Sequence, residues 1–311
     1  MNSERSLHDS VVRDLAWVIA SPPLIQGQID ICNWTDSAFW QNERCHFQPH
    51  LLDVDTKPTA LHQFLFQQRD QRLGHRFETL LSYWFNNNDR YQIIAQNLQI
   101  QDTERTIGEF DFIVNDTVNN KYQHWEVACK FYLGIGDTKN ISNWHGPMLQ
   151  DRLAIKYKQM QTRQSQLSIL PASFASLEKL NIQIDQHICL MKGRLFYPIN
   201  EASRHSPMLI SSKHQQGWWA RPEEFTRRFK RQNFRWYLLS KNQWLAELHF
   251  KPDDPGYNTD QLLELFLSKP SNRPICIAGF KAEQATNNEI TRGFLVAKDW
   301  ASELIIDDNT D

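Results

Sequence analysis

The chain has 311 residues, of which 41% are hydrophobic and 23% are charged, and its formal net charge is −2. This composition is typical of a globular protein and excludes the disordered and fibrous classes. A net charge so close to zero gives no overall attraction to nucleic acid, so any phosphate binding has to come from a local cluster of basic residues.

No segment signals export or a membrane span. The amino terminus has no uninterrupted apolar segment of the kind found in signal peptides, and no window approaches the ~18 apolar residues of a spanning helix. The cysteines are odd in number and widely scattered, at Cys32, Cys45, Cys129, Cys189 and Cys276, which argues against a disulfide framework. These features predict a cytoplasmic protein that does not enter a membrane.

Two helices are predicted before the first strand. Hydrophobic spacing predicts the first over residues 7 to 19, and residues 24 to 57, which show no clear period, are predicted to be an irregular segment over the core. The second helix is predicted from about Leu61 to Phe85, and Glu78 lies beside its apolar stripe, where an acid is ordinarily solvated. The stripe consists of Leu73, Phe77, Leu80, Leu81 and Trp84.

A first strand is predicted over residues 91 to 100, and residues 106 to 133 are predicted to form two more strands joined by a polar loop. Because strand side chains alternate between faces, Glu109 and Asp111 share one face of the second strand. Glu126 and Lys130 share one face of the third. The apolar faces opposite are predicted to carry Phe110, Phe112, Val114, Trp125, Val127, Cys129, Phe131 and Leu133. Acids brought this close either repel one another or bind a cation.

Another helix is predicted to open at Trp144-His145-Gly146-Pro147, since proline suits the first helical turn. Arg152 and Lys156 on this helix have two interpretations: they are solvated surface charges, or they face the acid cluster and contact phosphate. Residues 182 to 197 are predicted to form a fourth strand, with a turn at Lys192-Gly193 as one option.

This order, helix, three strands, helix and strand, resembles the PD-(D/E)XK nuclease superfamily over roughly residues 70 to 195. The resemblance implies that Asp111 and Glu126 ligate Mg²⁺ or Mn²⁺, that Lys130 orients or activates the attacking water, and that Glu78 assists. The chain departs from the superfamily pattern in one respect. Glu126 and Lys130 are four residues apart instead of two, so their Cα atoms are roughly 13 Å apart instead of about 7 Å. Lys156 could serve in place of Lys130.

Five segments, RLGHRFETLLSYWF, GEFDFIV, HWEVACKFYL, WHGPMLQDRLAIK and HQQGWW, also resemble a family of uncharacterised bacterial proteins. This family is catalogued as a domain of unknown function, number 1853. The resemblance spans most of the chain and brings no known activity with it.

The carboxy-terminal part holds the densest basic run, within residues 221 to 236. Its acids stand at the start of a predicted helix and its basic residues, Arg227, Arg228, Lys230 and Arg231, stand towards the end. This order complements the helix macrodipole and equally suits contact with a phosphate backbone, so both interpretations stay open. A strand over 236 to 239, a helix over 260 to 267, and strands over 274 to 280 and 290 to 297 are predicted to follow.

The sequence therefore predicts an α/β fold with a mixed central sheet of the restriction-endonuclease type, an αβββαβ core, added N-terminal helices and a C-terminal α/β extension. The regions predicted are 1–60, 61–200 and 201–311.

The leading function is a Mg²⁺-dependent nuclease, either an endonuclease or an exonuclease, acting on DNA or RNA. Its predicted nucleic-acid contacts are Arg152, Lys156, Arg227, Arg228, Lys230 and Arg231. The alternatives are a nucleic-acid-binding scaffold that has lost the chemistry, and a protein-interaction module. The sequence does not indicate an oligomeric state.

Overall fold

A computed structural model describes residues 7–29, 32–67, 70, 72–102, 105–201, 204–249, 256–268, 273–281 and 288–307. Within these residues the chain has the predicted mixed α/β fold, with a large mixed sheet and helices. The helices are α1 (Ser10–Ala20), α2 (Ser37–Thr56), α3 (Thr59–Phe66), α4 (Leu73–Asn86), α5 (Leu153–Gln159), α6 (Pro171–Lys179), α7 (Pro222–Phe229), α8 (Thr259–Ser268) and α9 (Ser302–Asp307). The strands are β1 (Gly27–Ile29), β2 (Cys32–Trp34), β3 (Tyr91–Asp102), β4 (Arg105–Asp116), β5 (Lys121–Gly134), β6 (Trp144–His145), β7 (Gln186–Pro198), β8 (Gln215–Ala220), β9 (Phe234–Leu239), β10 (Ile275–Lys281) and β11 (Thr291–Leu295).

The described residues group into two compact units, each built from separate segments of the chain. The first unit takes Met1–Lys130, Ile155–Gly193 and Leu209–His214, and the second takes Phe131–Ala154, Arg194–Met208 and Gln215–Asp311. Strands β5 and β7 each contribute residues to both units. No helix in the described part of the chain combines the length and the apolar character needed to cross a lipid bilayer.

In the first unit, β3, β4 and β5 form an antiparallel meander, and β2 pairs in parallel with β7. The pairing of β4 with β5 begins beside the turn, at Asp116 and Lys121, and ends at Phe112 and Trp125. Beyond that pair the two strands no longer exchange ladder hydrogen bonds, although both continue. This end of the β4–β5 pairing leaves backbone groups of β5 available to other partners.

Both faces of this sheet are covered. One face carries an aromatic cluster in which the ring centroid of Phe85 lies 5.3 Å from that of Phe112 and 5.3 Å from that of Trp125. The other carries an apolar cluster that includes Phe110, Ile113 and Leu167. Phe110 and Phe112 were predicted to share a face, and this prediction is wrong. Strict alternation does not hold where β4 leaves the pairing with β5.

The N-terminal segment predicted to be irregular contains the long helix α2, which corrects the prediction for residues 24 to 57. Asp36 caps the helix by accepting a hydrogen bond from the backbone N–H of Phe39. The buried side chains do follow helical spacing, but one of them is Glu43, which pairs with Arg90 at 3.5 Å. A carboxylate on the core face and Pro49 inside the helix hid the period. The buried side chains are Trp40, Glu43, Phe47, Leu51 and Val54.

Two further helix boundaries differ from the sequence prediction. The helix predicted from Leu61 to Phe85 is divided into α3 and α4, and residues 68, 69 and 71 between them lie outside the described residues. The helix predicted to open at Trp144 begins only at Leu153, because Gly146 N–H donates to the carbonyl of Asp151 at 2.8 Å and closes a loop. Strand β7 also continues through Lys192 and Gly193, so the optional turn is not formed.

In the second unit, β7, β8 and β11 pair in parallel and β11, β10 and β9 pair in antiparallel fashion. Helices α7 and α8 pack their apolar side chains on this sheet. The predicted elements at the carboxy-terminal end are thus confirmed, with small shifts in their ends. The core consists of Trp218, Ala220, Phe225, Phe229, Phe234, Trp236, Leu262, Phe266, Ile277 and Leu295.

A disulfide bond joins Cys32 of β2 to Cys189 of β7, whose Cα atoms are 6.3 Å apart. The scatter of the cysteines argued against a disulfide framework, and this one bridge was not predicted. The two residues are 157 positions apart in the chain. Only the parallel pairing of β2 with β7 brings them together, and the sequence contains no local signal for that pairing.

Gly193 is required by the close approach of β7 to the backbone of Lys130. Its φ is +147°, and a Cβ atom added there would overlap the carbonyl oxygen of Lys130. We expect Gly193→Ala to lower the free energy of unfolding by at least about 2 kcal/mol, because both the backbone conformation and the contact are unfavourable for alanine.

Urea unfolding of Gly193→Ala beside Gly74→Ala tests this expectation. Gly74 lies in the first turn of α4, and the nearest atom to an added Cβ is Glu78 Oε1 at 3.9 Å, so this control should retain full stability. Equal stability of the two variants would show that the backbone near Lys130 is not as closely packed as described.

Candidate active site

Asp111 lies where the pairing of β4 with β5 ends. Its Oδ2 accepts a hydrogen bond of 2.8 Å from the backbone N–H of Val127, in place of a ladder carbonyl. This bond fixes the carboxyl group between the two strands and holds it beside Glu126, the preceding residue of β5. The end of the pairing therefore creates the position that Asp111 occupies.

Glu126 is almost completely buried, with 1% of its surface exposed. No hydrogen-bond donor among the described residues reaches its carboxyl oxygens, and its side-chain hydrogen bond is with the carboxyl group of Asp111, which requires a proton on one of the two acids. The Lys156 ammonium lies close by, with its Nζ 3.7 Å from Oε1, too far for a good hydrogen bond. A buried acid that is paired with another acid is costly to ionise, so this carboxyl group has a reason other than stability to be here.

Glu78 projects from α4, next to its apolar stripe, and 22% of its side chain is exposed. The solvated helix acid considered from the sequence is thus not what the structure shows. His75, one turn earlier, contacts Glu78 Oε2 through Nδ1 at 3.1 Å and Asp70 Oδ2 through Nε2 at 3.0 Å. Arg72 holds the same oxygen of Asp70 at 2.6 Å. The sequence analysis missed His75, although its spacing of three residues from Glu78 on one helix was visible.

Burial raises the pKa values of all three acids, and neighbouring acids add to the effect. Burial raises the pKa of Asp111 to about 6, against the hydrogen bond from Val127 and the charge of Lys156, which lower it. Burial and the neighbouring Asp111 hold the pKa of Glu126 well above its ordinary value. Burial, with Asp111 and Glu109, raises the pKa of Glu78 to about 8. The acids therefore share protons near neutral pH, as is typical of catalytic carboxyl clusters.

Lys156 is the leading cation that lowers the pKa values of all three acids. Its Nζ also donates to Gln164 Oε1 at 3.0 Å. A π-helical turn, Met160–Gln164, follows α5 and is closed by the N–H of Ser165 on the carbonyl of Met160. Such turns recur at functional sites, and here Gln164 is the partner that orients the ammonium. The sequence carries no signal for this turn.

Lys130 lies four residues beyond Glu126 on β5 and is half-buried. Its role as the catalytic lysine stays a prediction that the geometry does not test. Lys156 lies within ion-pair distance of Glu126, with Nζ 3.7 Å from Oε1.

Asp111 lines a pocket of about 450 Å³ in the first unit. Part of the wall is apolar and part is polar, and Glu109 lines it together with Asp111. The lining residues are Ile107, Gly108, Glu109, Asp111, Gln159, Arg163, Gln164, Leu167 and Leu170. Within the described residues, no three histidine, cysteine, aspartate or glutamate side chains are arranged to hold a metal by themselves.

The other predicted contacts for nucleic acid lie in the second unit. Arg152 is exposed, beside an isolated bridge with His145, and does not belong to α5. Four basic residues, Arg227, Arg228, Lys230 and Arg231, are exposed at and after the end of α7, while Phe225 and Phe229 of that helix are buried. The aromatic residues of the basic run thus belong to the core, and its cations face solvent.

Comparison with known proteins gives the family and no activity. No curated protein and no solved structure matches the chain. One family model, described as a domain of unknown function (DUF1853), matches residues 13–296, which is most of the chain and includes all three acids, Lys156 and the pocket. The chain belongs to the DUF1853 family.

Proposed function

We propose that this protein is a metal-dependent nuclease of the PD-(D/E)XK type, which hydrolyses phosphodiester bonds in DNA or RNA. One observation carries the proposal: the buried carboxyl group of Glu126, which no hydrogen-bond donor of the described residues reaches, is paired with the carboxyl group of Asp111 and lies beside Lys156. Stability alone does not favour such a group, whereas a site that binds a cation and a phosphate requires it. The order α4, β3, β4, β5, α5, β7 supports a restriction-endonuclease-like core.

The residues fit a divalent cation with oxygen ligands. When ionised, Glu78, Asp111 and Glu126 carry three negative charges against one positive charge on Lys156, which leaves an excess that one divalent cation balances. Magnesium is commonly held by one or two carboxylates together with water and substrate phosphate. Asp111 and Glu126 supply two such ligands, which fits magnesium or manganese better than a metal held by protein ligands alone.

When bound, the cation would supply charge that polarises the phosphate and lowers the pKa of an attacking water. The chain's own residues do the rest. Val127 holds the Asp111 carboxylate in one orientation, and the Lys156 ammonium, fixed by Gln164, offsets negative charge that develops on the phosphate. Glu78, with a pKa of about 8, holds a proton near neutral pH that it can transfer within the cluster.

The alternative is a nucleic-acid-binding scaffold without chemistry. The exposed cations after α7, Arg227, Arg228, Lys230 and Arg231, suit it, since it needs only a basic surface. The clustered carboxyl groups in the first unit favour the nuclease. Their negative charges repel the phosphates of nucleic acid unless a cation is bound between them.

Calorimetric titration with Mg²⁺ and Mn²⁺, beside cleavage assays on labelled DNA and RNA, tests the proposal. Wild type is compared with Asp111→Ala and Glu126→Ala. We expect cation binding and cleavage in wild type and the loss of both in each variant. Absence of cation binding in wild type, with nucleic acid still bound, would reject the nuclease and favour the scaffold.

The two lysines provide a matched pair of variants. We expect Lys156→Met to lower the rate of hydrolysis about 100-fold, because it removes the leading cation next to three acids. Lys130→Met on β5 should lower it less than about 10-fold. Single-turnover rates at saturating Mg²⁺ make the comparison, and the reverse order of the two effects would assign the catalytic role to Lys130.

A further inference from the structure

The depth of the carboxyl groups restricts which form of nucleic acid can reach them. Asp111 lines the 450 Å³ pocket, and Glu126 next to it exposes only 1% of its surface. Neither group projects from the protein. A phosphate that contacts them has to enter the pocket.

An intact duplex presents a phosphate in this way only after a nucleotide has been extruded from the helix, which costs the free energy of unpairing and unstacking. The phosphates of a duplex lie along the outside of a stiff double helix, spaced about 3.4 Å per strand along the axis, with paired bases directly behind them. A group that contacts such a phosphate has to stand on an open surface. A nucleotide at a strand end, or in an unpaired strand, can leave the stack and enter a cavity.

The pocket has the volume and the walls for one nucleotide. Its 450 Å³ lies within the usual range for small-molecule sites, about 300 to 1,000 Å³. Ile107, Leu167 and Leu170 give an apolar wall suited to a base or a sugar. Gln159 and Gln164 give amide groups suited to hydrogen bonds with base edges or phosphate.

We propose that the site takes an unpaired nucleotide into the Asp111 pocket, so that single-stranded nucleic acid or a frayed strand end is cleaved in preference to the intact duplex. This inference rests on the proposed function. It adds the form of the substrate, which the sequence left undetermined. The site would bind an unpaired strand of phosphodiester-linked nucleotides, which either DNA or RNA can provide.

The test compares five substrates at equal phosphate concentration with Mg²⁺ and wild-type protein. These are linear single-stranded DNA, linear single-stranded RNA, circular single-stranded DNA, covalently closed circular duplex DNA and the small diester bis(p-nitrophenyl) phosphate. We expect at least one linear single strand to be cleaved at least 100-fold faster than the closed duplex. Circular single strands separate the two accessible forms, since a site that needs an end leaves them intact.

The remaining outcomes separate the inference from the proposed function. Nicking of the closed duplex at a rate similar to single strands overturns the inference and leaves the nuclease in place. Hydrolysis of the small diester without cleavage of any strand also overturns it. If none of the five is hydrolysed, the proposed function fails and the inference falls with it.

A variant that fills the pocket gives an independent measurement. Leu170→Trp should lower cleavage of single strands at least 10-fold, because the larger side chain occupies the space for the nucleotide. Ile169→Trp is the matched control, since Ile169 is exposed, 57% of its surface, and does not line this pocket. Equal cleavage by the two folded variants, checked by circular dichroism, would contradict a nucleotide in the pocket.

Discussion

Glu126→Gln is expected to lower the rate of hydrolysis at least about 1,000-fold. At the same time, it should make the metal-free protein more stable above neutral pH. The loss of activity follows from removing one of two proposed cation ligands. The gain in stability follows from the burial of Glu126, whose oxygens no hydrogen-bond donor of the described residues reaches and whose pKa is held well above its ordinary value. A glutamine resembles the protonated acid and never ionises.

The sign of the stability change depends on pH. A carboxyl group whose pKa is raised in the folded protein binds more protons folded than unfolded, so it favours folding below its unfolded pKa and loses that contribution as pH rises through the folded value. We therefore expect no difference between wild type and Glu126→Gln near pH 4. At pH 8 the variant should be the more stable of the two, because glutamine never ionises in the buried site.

Thermal unfolding at pH 4 and pH 8, with and without Mg²⁺, measures both the change in stability with pH and the loss of cation binding. Excess Mg²⁺ should raise the melting temperature of wild type and leave that of Glu126→Gln unchanged, because a cation stabilises only a folded protein that binds it. Glu178→Gln is a suitable control, since Glu178 is exposed on α6. A variant less stable than wild type at pH 8 would show that the pair of Glu126 with Lys156 is a structural ion pair instead.

Part of the acid cluster was accessible from sequence, because closely spaced acids on one strand stay near one another. Glu109 and Asp111 line one pocket, although strict alternation does not hold at Phe110 between them. Helical periodicity gave the buried stripe of α4, with Phe77, Leu80, Leu81 and Trp84 at 0% exposure. Local patterns of this kind survive in the fold because each is fixed by contacts within one element.

The features that the sequence did not predict depend on contacts between distant segments of the chain. Helix α2 escaped prediction because Glu43 occupies a core position, where Arg90 and Asn88 contact its carboxylate. The prediction for the face of Phe110 was wrong because strict alternation does not hold where β4 leaves the pairing with β5. The sequence of one strand does not show where its pairing with a neighbour ends. Lys156 acquires its position from a π-helical turn and from Gln164, eight residues away. The functional parts of the site are thus the least regular, as expected where function and regular structure conflict.

Metal affinity is expected to rise more than 100-fold between pH 5 and pH 8. Both proposed ligands have to lose a proton before they can bind a cation. With a pKa of about 6, Asp111 alone is only about one-tenth ionised at pH 5, which gives about 10-fold. Glu126, whose pKa is raised further above its ordinary value by burial and by Asp111, supplies the remainder.

Calorimetry with Mn²⁺ in buffers of different ionisation enthalpy measures the affinity and the number of protons released. We expect between one and two protons released per cation at pH 6, falling towards zero as pH rises through the pKa values of the cluster. Asp111→Asn should remove the pH dependence that belongs to that residue and weaken binding at pH 8. An affinity that does not change with pH would mean that the cation is bound elsewhere, because buried carboxyl groups with raised pKa values cannot bind it without releasing protons.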